Sequence, residues 1–301
     1  MKANNTFLNQ SPEFWANIKI INQKVGYVRR RSKKFPKGGF TIPTVDEIKI
    51  KFKENNFDYS KLVDGDKFTE LGKLIINYME YRAFLLSQKV EPLLMNQPEA
   101  QKIFYDLKKQ LNPSCPLPMN KQKKEKKDFA FLTGIINMLI EQAIGGIPCD
   151  YDPRILTTIT KDKFPIRSMS RRVDGAFPSP INPKAIWEIK EYYYTTTFGS
   201  RVADGVYETQ LDGWELLEIN KSLGLGVEHY LIVDSHYTWW GMGKSYLCRL
   251  IDAIHMGLVT EVIFGKEALT RIPIIAKSWL STQEHQITLN IAADPKIKYK
   301  K

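Results

Sequence analysis

VDGAFPSPINPKAIWEIKEYY, residues 173–193, sets two strand-like runs on either side of a proline-rich turn and places Asp174, Glu188 and Lys190 within them. A charge buried without a partner is costly, so such groups are normally neutralised by a metal, an ion pair or a ligand. Side chains at i and i+2 of a strand share one face. In AIWEIK, Trp187 and Ile189 therefore point one way with the character of core, and Glu188 and Lys190 point the other. Antiparallel pairing through the turn PSPINPK brings Asp174 beside Glu188. Two neighbouring carboxylates repel unless a cation lies between them, and hard oxygen ligands suit Mg²⁺. A water on that cation, next to Lys190, is placed for in-line attack on a phosphodiester, with the Lys orienting the water, aiding its deprotonation or stabilising the developing charge. The other reading of the same three residues is an edge strand with a cross-strand ion pair.

Outward from this stretch, the pattern is that of a mixed sheet with helices on both faces. FAFLTGIINMLIEQAIGG before it reads as an apolar helix stopped by Gly145-Gly146. After it come an amphipathic helix over 200–223, a buried strand in VEHYLIVDS, a helix in SYLCRLIDAIHMGL and a short strand in EVIFG. The region before residue 128 reads as mostly helical. Ser11 caps a first helix with Pro12 at its first position, and Thr44 caps VDEIKIKFKENNF. KFTELGKLIINYMEYRAFLLSQKV and EAQKIFYDLKKQL continue the helical spacing. Residues 44–63 hold two short helical patterns that would form a helix-turn-helix. The stretch 112–127, with three prolines and five lysines, is the expected linker. The chain is thus expected to divide into 1–127 and 128–301.

Charge divides at the same place. The formal net charge is +11. Residues 1–127 hold 25 Lys and Arg against 13 Asp and Glu, whereas residues 128–301 hold 19 against 20. Between Phe14 and Val45 there are eight basic residues and no acidic one. Within that block Lys24, Arg29, Arg30, Arg31, Lys33, Lys34 and Lys37 form a candidate phosphate-binding surface, the alternative being a solvated basic loop. Nothing approaches the roughly 18 apolar residues of a membrane span. Three cysteines without CxxC spacing read as reduced thiols, which predicts a cytoplasmic location.

The central residues resemble the PD-(D/E)xK nuclease superfamily. Val173-Asp174 stands where the family has Pro-Asp, and Glu188-Ile189-Lys190 matches its (D/E)xK. The departure, Val173 for proline, falls on a position not expected to bind metal. The resemblance covers about 110 residues, 128 to 234, and implies a restriction-endonuclease-like α/β (α+β) core, a mixed sheet flanked by helices. It also implies catalysis by Asp174, Glu188 and Lys190 with Mg²⁺ held by Asp174 and Glu188. In such nucleases the helix before the first strand often adds an acid to the metal site, which here would be Glu141; the alternative is an ordinary exposed Glu near a helix end. Gln210 is either a further reach into the site or a surface Gln.

GMGKS, residues 241–245, lacks the first glycine of a phosphate-binding loop, so no nucleotide cofactor is expected and Ser245 reads as a helix cap. The expectation is a Mg²⁺-dependent endonuclease on double-stranded DNA, of the type II restriction kind. One site per chain and a two-stranded target favour a homodimer. A repair or junction-resolving nuclease of the same fold and a catalytically silent DNA-binding protein are the rivals.

Overall fold

The computed structural model describes residues 1–8, 10–30, 33, 39–122, 125–194 and 200–293. Local capping chemistry sets several helix starts. The Ser11 side chain accepts the Phe14 amide at the head of α1 (Pro12–Lys24). Thr44 and Glu47 form a reciprocal capping box on α2 (Val45–Lys53), and Thr69 caps α3 (Glu70–Leu85). Asn96 and Glu99 repeat the box on α4 (Gln97–Leu111), which ends on Asn112 in the left-handed conformation. The α5 helix (Phe131–Ile144) stops at left-handed Gly145, as the Gly-Gly pair predicts. Three more follow: α6 (Ser200–Leu223), α7 (Lys244–His255) and α8 (Ala268–Ala293). Among the described residues no helix is long and apolar enough to cross a membrane.

The strands are, in chain order, β1 (Val28–Arg29), β2 (Gly39–Phe40), β3 (Val63–Asp64), β4 (Lys67–Phe68), β5 (Met119–Gln122), β6 (Glu125–Phe129), β7 (Thr158–Lys161), β8 (Phe164–Ser168), β9 (Gly175–Phe177), β10 (Ala185–Glu191), β11 (Glu228–Asp234) and β12 (Glu261–Phe264). Four of them form a mixed sheet of order β12-β11-β10-β9, with β10 parallel to β11 and antiparallel to β9. The remaining eight pair as two-stranded hairpins.

The chain forms two compact units, and their division differs from the expected break at 127/128. The first comprises Met1–Leu94, Thr195–Leu217 and Ser235–Val262; the second comprises Met95–Tyr194, Glu218–Asp234 and Ile263–Lys301. The stretch expected as a linker instead carries the β5–β6 hairpin, with Met119 opposite Phe129. The expected helix-turn-helix is absent: α2 is followed by turns and the β3–β4 hairpin, with Leu62 and Val63 buried. Ser245 does not cap α7, which starts at Lys244 without a side-chain cap.

In the first unit, Phe14 and Ile18 of α1, Ile48 and Phe52 of α2 and Ile75 and Tyr78 of α3 share one apolar core. Beside it Arg82 Nη1 donates to both carboxylate oxygens of Asp252, at 2.8 and 2.9 Å. Tyr78 donates to the same carboxylate at 2.6 Å, and Arg82 also donates to Asn22 at 2.9 Å. Burial alone would weaken the Arg82 charge, but Asp252 outweighs it and raises the guanidinium pKa.

The second unit packs α4, α5 and α8 with one face of the sheet. Its core joins Ile135, Ile136 and Leu139 of α5 to Trp187 and Ile189 of β10 and to Ile275 and Trp279 of α8. Trp187 and Trp279 lie nearly parallel, 9° apart with ring centroids at 5.6 Å, and Phe177 stacks on Trp279 at 5.1 Å. Gly175, opposite Trp187 in the β9–β10 register, makes room for this: a Cβ there would lie 2.0 Å from the indole. Overpacking of this kind costs about 1–3 kcal/mol and sometimes more. Gly175→Ala should therefore lower stability by at least about 2 kcal/mol in urea unfolding followed by tryptophan fluorescence; an unchanged midpoint would show that the indole has room to move.

Candidate functional site

Asp174 precedes β9, and its amide donates to the Trp187 carbonyl at 3.1 Å, extending the antiparallel pairing by one step. Since Gly175 pairs with Trp187, Asp174 falls opposite Glu188. The alternation along β10 is as the sequence requires: Trp187 and Ile189 enter the apolar core, and Glu188 and Lys190 occupy the other face. That face is not open. Glu188 is wholly buried and Lys190 nearly so.

Lys190 Nζ donates to Glu188 Oε2 at 2.6 Å. Arg171, three residues before Asp174, donates from Nη2 to Glu188 Oε2 at 3.2 Å. Its Nη1 lies 3.0 Å from Oε1, within ion-pair range, yet Oε1 has no aligned hydrogen bond. Burial would raise the Glu188 pKa, but Lys190 and Arg171 together outweigh it and hold the carboxyl below its ordinary value. Asp174 behaves oppositely. Its Oδ2 accepts the Ile189 amide at 2.7 Å. Crowding around its carboxyl, and then the negative charge of Glu188, push it up to about 6, although Lys190, the Ile189 amide and Arg171 pull the other way. As a whole residue Asp174 is exposed, so water tempers this rise. The site thus sets the crowded carboxyl of an exposed residue beside a buried carboxylate that has an unaligned oxygen. Two such carboxylates fit Mg²⁺, which keeps several waters and takes one or two carboxylates from a protein. Among the described residues no group of three or more His, Cys, Asp or Glu side chains is placed to hold a metal.

The other expected residues lie elsewhere. Glu141, on α5, accepts the Ser114 amide at 3.1 and 3.2 Å and the Ser114 hydroxyl, which accounts for its carboxylate without a metal. Burial and then Glu141 push the neighbouring Cys115 thiol up to about 12. Gln210 sits on the part of α6 that belongs to the first unit. Of the basic block, Arg31, Lys34 and Lys37 lie outside the described residues. Arg30 and Lys33 are exposed, and Lys24 is half-buried in the last turn of α1. Arg29 departs from the expectation of an open phosphate donor. It grips Glu47 at 2.9 and 2.8 Å and the Ile42 carbonyl at 3.1 Å, tying β1 to the head of α2.

Two residues of this region escape the sequence reading. Arg171 is one; its signal is the rule that a buried carboxylate needs its charge matched, applied to the basic pair Arg171-Arg172 just before β9. Glu191 is the other. Ala130 offers α5 no side-chain cap, and Glu191 at the end of β10 takes its place, accepting the Leu132 and Thr133 amides at 2.6 and 3.2 Å. The residue is half-buried but its carboxyl is enclosed, and it sits opposite Asp234 in register. Burial, against the two amides and with the charges of Asp234 and Asp174, pushes it up to about 7.

These features define the class as a mixed α/β protein in which helices pack on a four-stranded sheet and an acid pair with two cations lies across the sheet from its aromatic core. The chain belongs to the family described as Domain of unknown function (DUF7687), whose model matches residues 95–279. A second model, Domain of unknown function (DUF7690), matches residues 1–89, so the two meet close to the Leu94/Met95 division of the compact units. No curated protein and no solved structure matches the chain.

A carboxyl whose folded pKa stands above its unfolded value contributes stability at low pH that is lost as pH rises through the folded pKa. With Glu191 raised to about 7, that loss runs from about pH 4.5 to above 7. Glu191→Gln keeps an acceptor for the two α5 amides without the charge. It should raise the thermal midpoint at pH 8 and leave it near wild type at pH 4; an equal change at both pH values would show that the buried charge is not what matters.

Proposed function

We propose that this chain is a Mg²⁺-dependent endonuclease acting on double-stranded DNA, with a restriction-endonuclease-like core of the PD-(D/E)xK type and a type II, homodimeric mode of action. The observation that carries the reading is the joining of Asp174, Glu188 and Lys190 at adjacent positions of an antiparallel pair, with Lys190 held on Glu188 at 2.6 Å. The element order supports it: α5, then β9 and β10, then α6 and a β11 parallel to β10. The exposed Arg30 and Lys33 of the first unit are the described residues best suited to DNA phosphates. Free thiols at Cys115, Cys149 and Cys248 fit a cytoplasmic setting.

Asp174 and Glu188 would hold the cation, which when bound supplies a Lewis acid and an acidified water. Lys190 does the orienting and charge-stabilising work. Its ammonium, anchored on Glu188, orients the attacking water and offers a hydrogen bond to the non-bridging phosphate oxygens as negative charge builds on them. The water oxygen forms the new bond to phosphorus and releases a proton to solvent, the bond to the departing sugar oxygen breaks, and that oxygen takes a proton from solvent. Glu188, wholly buried between two cations, keeps the ammonium aimed without competing as a base.

Asp174→Ala or Glu188→Ala should abolish Mg²⁺-dependent cutting of phage DNA on a gel while leaving duplex retention largely intact. Lys190→Ala should slow the single-turnover rate by at least about a hundredfold, the scale of losing one electrostatic stabiliser. Wild-type protein that leaves DNA whole under these conditions would end the reading, and cutting at scattered junctions in place of fixed sites would redirect it to structure-specific repair.

A further inference from the structure

Glu188 is a single buried carboxylate shared by two cations, and the two are held differently. Lys190 has a side chain 10 % exposed, issues from the same strand and makes the shorter bond, at 2.6 Å. Arg171 arrives from the segment before β9, with its side chain 24 % exposed; its Nη2 donates to Oε2 at 3.2 Å, and its Nη1 meets Oε1 at 3.0 Å without hydrogen-bond alignment. The positive charge of Arg171 also bears on Asp174, the other acid of the pair. With all four groups ionised, two acids and two bases cancel. A divalent cation approaching Glu188 Oε1 therefore meets a guanidinium already beside that oxygen, and like charges at such range repel strongly in a crowded, poorly solvated site.

We infer that Arg171 is a displaceable counter-ion: it holds Glu188 charged and in place until a divalent cation takes Oε1, and the released guanidinium then engages a phosphodiester. The inference rests on the cation-dependent reading above. Lys190, on the shorter bond, stays on Oε2, whereas Arg171, with more of its side chain in solvent, has somewhere to go. A guanidinium is suited to the second partner, since its planar fork matches two phosphate oxygens and it never loses its charge. Arg171 is then a positioning residue for the acid in the resting state and a phosphate ligand in the loaded one.

The two roles pull binding constants in opposite directions, which a merely structural side chain would not do. Calorimetric titration of DNA-free protein with Mn²⁺ should give an affinity at least about threefold tighter for Arg171→Gln than for wild type. Anisotropy of a fluorescent duplex in the presence of Ca²⁺ should show the same variant binding DNA at least about tenfold more weakly. Arg171→Lys keeps a charge but loses the fork, so it should retain wild-type Mn²⁺ affinity and still bind the duplex more weakly. Should Arg171→Gln fail to fold, the Lys variant decides alone, and unchanged duplex affinity there overturns the inference. Equal or weaker Mn²⁺ binding by a folded Arg171→Gln overturns it too. If wild type shows no Mn²⁺ binding that Glu188→Gln removes, the cation-dependent reading and this inference fall together; if that binding is present and Arg171→Gln leaves it unchanged, only the inference fails.

Discussion

A carboxylate with no exposure to water has to be matched in charge or give up its ionisation, and Glu188 is matched twice, by Lys190 and by Arg171. Much of the second unit is arranged around that requirement. Asp174 must sit one step beyond β9 so that its own carboxyl accepts the Ile189 amide and leaves Glu188 to the cations. The parallel β11 closes β10 from the other side, and Glu191 at the strand end turns away to cap α5. A register slip of one residue along β10 would drive Glu188 and Lys190 among the aromatic rings and put Trp187 on the charged face.

The opposite face of the same strand explains why the slip does not happen. Trp187, Trp279 and Phe177 form a stacked aromatic layer, and only glycine at 175 leaves the indole its place. Lys184 reinforces it by donating to the carbonyls of Ser278 and Trp279 at 3.0 Å each, fastening the start of β10 to α8. Packing on one face and charge matching on the other therefore specify a single register from two independent directions. The side chains that would do chemistry are placed by residues that do none.

The alternation in AIWEIKE was legible in the sequence because strand periodicity assigns faces with no tertiary information. Helix starts at Ser11, Thr44 and the stop at Gly145 were legible for the same reason, since capping is local chemistry. The β7–β8 hairpin was not. Its turn uses Asp162 and Lys163, both in the left-handed region, and lacks the glycine that usually marks such a turn. A run of prolines and lysines at 112–127 says nothing about backbone pairing, so the β5–β6 hairpin stayed hidden. Arg29 and Glu141 read as site residues because spacing cannot reveal that Glu47 and Ser114 already engage them. Arg171 went unread because its role depends on an acid 17 positions away.

The first unit is assembled from segments widely separated along the chain, and its buried ion pair joins Arg82 to Asp252, 170 residues later. Domains in general fold as units while the ribosome is still at work. Here the amino-terminal helices emerge with Arg82 lacking its buried carboxylate partner until α7 has been made. The second unit waits longer, because Trp279 must follow before the aromatic layer is complete. Neither unit can finish early: a chain cut short before α7 leaves Arg82 without its carboxylate, and one cut short before Trp279 leaves the sheet without its covering indole. Under the nuclease reading, the order of synthesis itself would delay a working Asp174–Glu188–Lys190 site until nearly the whole described chain exists.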